Sequence, residues 1–176
     1  MSLRGKKVAI LVEDLYEELE LWYPLLRLRE EGADVLVIGT GEREVYKGKY
    51  GYPVEAEATV AGLSAQDLDA IVIPGGYAPD RMRQCPALLD LIRQAVESGR
   101  VVAAISHAGW VLASAGVLDG RKVTGYVSIK DDLVNAGARY YDRAVVIDGN
   151  LITSRFPDDL PAFCQAIIAA LEAVDM

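Results

Sequence analysis

The chain has 176 residues, 52% hydrophobic and 25% charged, enough apolar material for one domain core and too much for a disordered chain. Lysine and arginine number 18 against 26 aspartate and glutamate, a formal charge of −8, and so acidic a surface repels phosphate backbones, which sets nucleic acid aside as a partner. No apolar run reaches the roughly 18 residues of a membrane span, and Met1 to Lys7 lacks the apolar stretch and cleavage site of a secretory signal. Cys85 and Cys164 form neither a metal-spaced pair nor a disulfide framework. The expectation is a single domain over 1–176, cytoplasmic, with no membrane contact, metal or cofactor.

In chain order, Lys7 to Val12 (KVAILV) reads as a buried strand. Glu17 to Glu31 carries Leu21, Leu25 and Leu28 at helical spacing, with Gly32 as its stop. Asp34 to Gly39 is the second strand, and residues 42–60, with Gly48, Gly51 and Pro53, predict a small β-excursion. Ala70 to Ile73 is a third buried strand, running into Pro74-Gly75-Gly76. A helix over Pro86 to Ser98 precedes the strand Val101 to Ile105. Further helices are expected over His107 to Ala115, Ile129 to Asn135 and Asp158 to Glu172. Between the last two, Val145 to Ile147 and Leu151 to Thr153 pair as a hairpin across Asp148-Gly149-Asn150.

Short apolar strands alternating with helices of ten to fifteen residues predict a mostly parallel, doubly wound sheet, with the strands at 7–12, 34–39, 70–73 and 101–105 as neighbours. Ligands of such sheets bind beyond the carboxyl ends of the strands, where the strand order reverses. That directs attention to Glu13 to Glu20, Pro74 to Asp80 and Ser106 to Gly109.

Ser106 ends an apolar strand just before a helix, flanked by the small residues Ala104 and Ala108. A nucleophile elbow needs such flanks because strand and helix backbones approach closely there. Capping of the following helix is the competing reading, since serine is a preferred N-cap. His107, the sole histidine, adjoins Ser106, and its side chain should diverge from the serine; its backbone N–H and that of Gly76 suit an oxyanion hole. In the acidic stretch before the first helix, favourable interaction with the helix dipole accounts for Glu17 and Glu18. Glu20 lies one turn further in and is placed to face the sheet's top edge, where burial would raise its pKa.

Three segments in particular, Tyr16 to Pro24, Pro74 to Asp80 and the elbow, make the chain similar to the PfpI family, the intracellular-protease-like members of the Parkinsonism-associated deglycase superfamily. Ser114 to Leu118, Ile129 to Asp132, Val146 to Asn150 and Thr153 to Leu160 extend the resemblance over nearly the whole chain. The resemblance implies a flavodoxin-like three-layer α/β/α sandwich assembled as a dimer or hexamer with a shared active site. It also implies a small carbonyl or peptide substrate and peptidase, deglycase, glyoxalase or stress-chaperone activity. Residue by residue, it implies that Glu20 contacts the nucleophile and that Gly76 and His107 supply oxyanion N–H groups. Asp80 would approach His107 from a neighbouring subunit.

Two departures stand out. The family's elbow reads A-I-C-H, whereas this chain has Ser106 at the cysteine, and the family's Gly-Lys-His-Gly-Tyr has Tyr50 at its histidine. Tyr50, with Glu17, belongs to the expected pocket mouth, where it either reshapes the pocket or is a neutral surface change. A serine is not appreciably ionised and needs a base within reach, so the family's thiol chemistry should be impaired. Three readings follow: a silenced or engineered nucleophile, which is the preferred one; a natural serine hydrolase using Glu20 or His107; or a non-catalytic chaperone or binding protein of the same fold.

Overall fold

A computed structural model describes residues 1–174. Eleven strands and six helices follow in chain order: β1 (Lys7–Val12), α1 (Glu18–Glu30), β2 (Asp34–Gly39), β3 (Val45–Lys47), β4 (Pro53–Glu55), β5 (Ala58–Thr59), β6 (Ala70–Ile73), α2 (Ala78–Met82), α3 (Pro86–Glu97), β7 (Val101–Ile105), α4 (Gly109–Ala115), β8 (Lys122–Val123), α5 (Lys130–Asn135), β9 (Arg139–Tyr140), β10 (Val146–Asp148), β11 (Leu151–Ser154) and α6 (Leu160–Ala173). The central sheet has the order β10-β11-β7-β6-β1-β2-β5. Every neighbouring pair in it is parallel except β10 with β11.

The central strands are apolar throughout because both of their faces are covered. All of β6 and β7 is buried, and all of β1 after Lys7. Helices α1 and α6 pack together, while α4 packs against α2, α3 and α5. The chain moves from β1 to β2 on one side and from β6 to β7 on the other, so right-handed crossovers put α1 and α3 on opposite faces. This is the flavodoxin-like sandwich, and its strand order reverses between β1 and β6.

Four boundaries differ from the sequence reading: the hairpin turn and the starts of three helices. Asp148 pairs with Leu151 inside the hairpin, so its turn is Gly149-Asn150 alone, and Gly149 takes the positive φ of 58° that such turns need. The helices expected from His107, Ile129 and Asp158 each enter through a 3₁₀ turn, over Ser106–Ala108, Val127–Ile129 and Pro157–Asp159. The excursion over 42–60 is the hairpin β3–β4 followed by the edge strand β5.

Phe163 of α6 is fully buried, whereas Val134 of α5 is 47% exposed. Phe163→Ala should lower stability by about 3–5 kcal/mol and Val134→Ala by under about 0.5 kcal/mol, as measured by urea unfolding.

Candidate active site

At the end of β7 the backbone of Ser106 turns left-handed, with φ 59°. For an L-residue this costs roughly 1–2 kcal/mol, so its surroundings must hold it. The Ser106 carbonyl accepts the Tyr126 N–H at 3.2 Å. Its Oγ lies 2.6 Å from Glu20 Oε2 and 3.0 Å from the Arg155 carbonyl oxygen. The capping reading is thereby corrected: no side chain caps the turn at 106–108 or α4, because the hydroxyl is engaged across the sheet edge. Leu15, just after β1, is the other non-glycine residue with positive φ among the described residues, at 65°.

Glu20 is fully buried in the first turn of α1, and its Oε1 accepts the Gly75 N–H at 2.8 Å. The Ser106 hydroxyl has one proton and faces two oxygen acceptors. Both contacts are satisfied when Glu20 is protonated and donates to Ser106 Oγ, which in turn donates to Arg155. Energetics agree with the geometry: burial, with a smaller push from the Glu17 carboxylate, raises Glu20 to about 7. The Ser106 and Gly75 hydrogen bonds and the Lys49 charge pull the other way. Near neutral pH this carboxyl is poised between its two forms.

Close packing fixes the arrangement. A Cβ at Gly75 would lie 2.6 Å from Glu20 Oε1 and 2.7 Å from Ser106 Cβ, so only glycine admits the carboxyl–hydroxyl contact. Gly76, at φ 81°, forms an isolated bridge with Tyr16. Glu17 N–H to Gly75 O (3.1 Å) and Tyr77 N–H to Leu15 O (2.9 Å) carry that bridge.

These residues border a cavity of about 570 Å³ lined by Ser106, Glu20, Glu17, Gly76, His107 and Tyr50, with Leu19, Lys49, Tyr77, Tyr126, Phe156 and Pro157. Glu17 is buried and is the N-cap of α1, its carboxylate accepting the Glu20 N–H at 2.9 Å. Dipole interaction alone therefore understates its role. Glu18 likewise does more, accepting the Tyr50 N–H at 2.8 Å and the Tyr52 N–H at 3.3 Å to pin the loop that forms the mouth. Tyr50 is 80% exposed at that mouth.

His107 stacks on Tyr126 at 5.0 Å and meets Trp110 edge-on at 5.2 Å, with its Nε2 3.3 Å from Ser128 Oγ. Burial and the Lys49 charge lower its pKa, which keeps the ring neutral at pH 7. Its hydrogen-bonding nitrogen is turned to Ser128, and the serine's contacts are Glu20 and Arg155. Asp80 is not brought to the site: it is exposed in the first turn of α2 and does not line the cavity. Among the described residues no cluster of three or more His, Cys, Asp or Glu could hold a metal ion, and no helix is long and apolar enough to cross a membrane.

The Arg155 carbonyl, Lys49, Tyr126 and Phe156 were not singled out from the sequence. Arg155 had a signal, being held by Asp159 at i+4 through its own N–H (3.1 Å) and its guanidinium (2.9 Å).

A family profile described as "DJ-1/PfpI family" matches residues 6–170. "Deglycase PfpI" of Pyrococcus furiosus is 42% identical over 94% of this chain and 99% of its own length. "Protein/nucleic acid deglycase 2" of Escherichia coli is 38% identical over 96% and 99%. A crystal structure of a two-domain protein from Anabaena variabilis, containing DJ-1/ThiJ/PfpI-like and ferritin-like domains, superposes with a TM-score of 0.93 at 45% identity. The match covers 95% of this chain and 48% of that one, so this chain spans about half of the two-domain protein.

Because Glu20 sits near 7 in the fold and at 4.5 in an exposed chain, its contribution to stability is full below about 4.5 and is lost as pH rises through about 7. Glu20→Gln retains a neutral donor and acceptor there. The variant should gain on the parent by about 2 kcal/mol between pH 5 and pH 8 in urea unfolding; a pH-independent difference would contradict the assignment.

Proposed function

Since this chain belongs to the DJ-1/PfpI family, several of whose members are named deglycases, we propose that it is a carbonyl-attacking hydrolase in which Ser106 replaces the family's cysteine and Glu20 serves as its base. The observation that carries this reading is the Ser106 hydroxyl held 2.6 Å from a buried carboxyl whose pKa is about 7. A base with its pKa near the working pH combines a useful ionised fraction with adequate driving force for proton transfer.

With Glu20 protonated, Ser106 donates to Arg155 and is inert. Ionisation reverses the hydrogen bond, and the serine proton then points at the carboxylate. Ser106 Oγ bonds to the carbonyl carbon of a substrate while its proton passes to Glu20 Oε2. The carbonyl π electrons move onto oxygen, and the Gly76 and His107 N–H groups receive that charge. Collapse of the adduct expels the leaving group with the proton from Glu20, and water repeats the sequence to free Ser106. Asp80 of a second copy orients His107, so the working unit is a closed homo-oligomer, a two-fold dimer at minimum. An alkoxide is harder to generate than a thiolate, so turnover is below that of a cysteine site.

A fluorophosphonate probe should label Ser106 at a rate that rises with pH through about 7, and Glu20→Gln should slow labelling by roughly 100-fold. Absence of labelling at every pH would leave a binding or chaperone role in place of the enzyme. Ser106→Cys should react with iodoacetamide faster than the half-buried Cys85 or the buried Cys164, whose thiol burial pushes up to about 12; equal rates would mean that the elbow does not activate its nucleophile.

A further inference from the structure

The cavity lining contains one cation, Lys49, in a protein of net charge −8. Its backbone is held firmly: the Lys49 N–H donates to the Tyr16 carbonyl at 2.9 Å, and the Gly51 N–H closes a tight turn onto Gly48 at 2.9 Å. Glu18 binds the same turn through Tyr50 and Tyr52, and a Cβ at Gly48 would fall within 2.2 Å of the Glu18 carboxylate. The Lys49 ammonium lies 5.3 Å from the Tyr50 ring centroid and is not part of an ion pair among the described residues. A rigid turn thus presents a cation without a direct ion-pair partner among the described residues at the mouth of the Ser106 cavity.

We propose that Lys49 selects substrates whose reacting carbonyl sits a few bonds from a carboxylate, the ammonium receiving the carboxylate while the carbonyl reaches Ser106. The lowering of both Glu20 and His107 by Lys49 places its charge within electrostatic reach of the two groups that flank the nucleophile. Glu17, which lines the same cavity, disfavours a dianion, so a carboxylate fits better than a phosphate. Elsewhere the acidic surface repels such compounds, which makes this the local point of attraction. This assignment rests on the carbonyl chemistry proposed above, but binding tests it without turnover.

The test is an NMR titration of the full chain, following the amides of Gly76 and His107. The ligands are levulinate, a ketone bearing a carboxylate, its uncharged counterpart 2-pentanone, and hydroxyacetone phosphate. Levulinate should bind roughly five-fold tighter than 2-pentanone at low salt, in keeping with a solvated ion pair, and at least as tightly as the keto phosphate. The preference should vanish in Lys49→Met and survive in Lys49→Arg and in Lys47→Met, a neighbouring exposed lysine. Equal affinities in the parent, a preference that outlives Lys49→Met, or one lost equally in Lys47→Met would overturn the proposal; tighter binding of the phosphate would overturn the choice of carboxylate. Selective binding without fluorophosphonate labelling would sink the hydrolase and leave the recognition intact.

Discussion

Placing a carboxyl in the buried junction between two strand ends and a helix start is unfavourable unless it is neutral or fully hydrogen-bonded. Glu20 resolves this through one contact with Ser106, one with the Gly75 amide and a pKa near 7. Much of the local architecture follows from that requirement. Gly75 has no side chain because a Cβ would occupy the carboxyl's space. Ser106 accepts a left-handed backbone because its hydroxyl must reach both Glu20 and the Arg155 carbonyl. Glu17 caps α1 through the Glu20 amide, which fixes the turn from which the carboxyl projects.

The same contact joins three segments far apart in sequence. Residues 20, 75 and 106 meet because β1, β6 and β7 are adjacent and parallel, so their carboxyl ends lie on one edge of the sheet. The strand order reverses between β1 and β6, which opens a crevice there for a ligand. The fold thus contributes proximity and the local backbone contributes aim, while the buried carboxyl sets the proton inventory. His107 stands beside the serine, yet burial and the Lys49 charge hold it neutral, and it stacks on Tyr126 with its Nε2 turned toward Ser128.

Much of this was legible in the residues. The four apolar runs gave the central parallel strands because strands buried on both faces must be continuously apolar, and the small flanks of Ser106 marked the sharp turn. Less legible were features set by distant contacts. The serine's orientation depends on a carbonyl 49 residues away, which no local pattern encodes, so capping competed with the elbow until the fold was known. Glu17 and Glu18 looked like ordinary first-turn acids because their partners, the Glu20 amide and the loop at 50–52, become neighbours only on folding. Lys49 escaped notice because an exposed lysine has no local signature of function.

The central claim is that Glu20 is protonated against Ser106 below neutrality and releases its proton near pH 7. The most direct measurement is the pH titration of the Glu20 side-chain carboxyl carbon by NMR in the folded protein. A single transition centred near 7 is the predicted result, shifting upward in Lys49→Met because a neighbouring positive charge is removed. A midpoint near 4.5, the ordinary value for an exposed glutamate, would mean that the carboxyl is ionised in the resting site and would contradict the account.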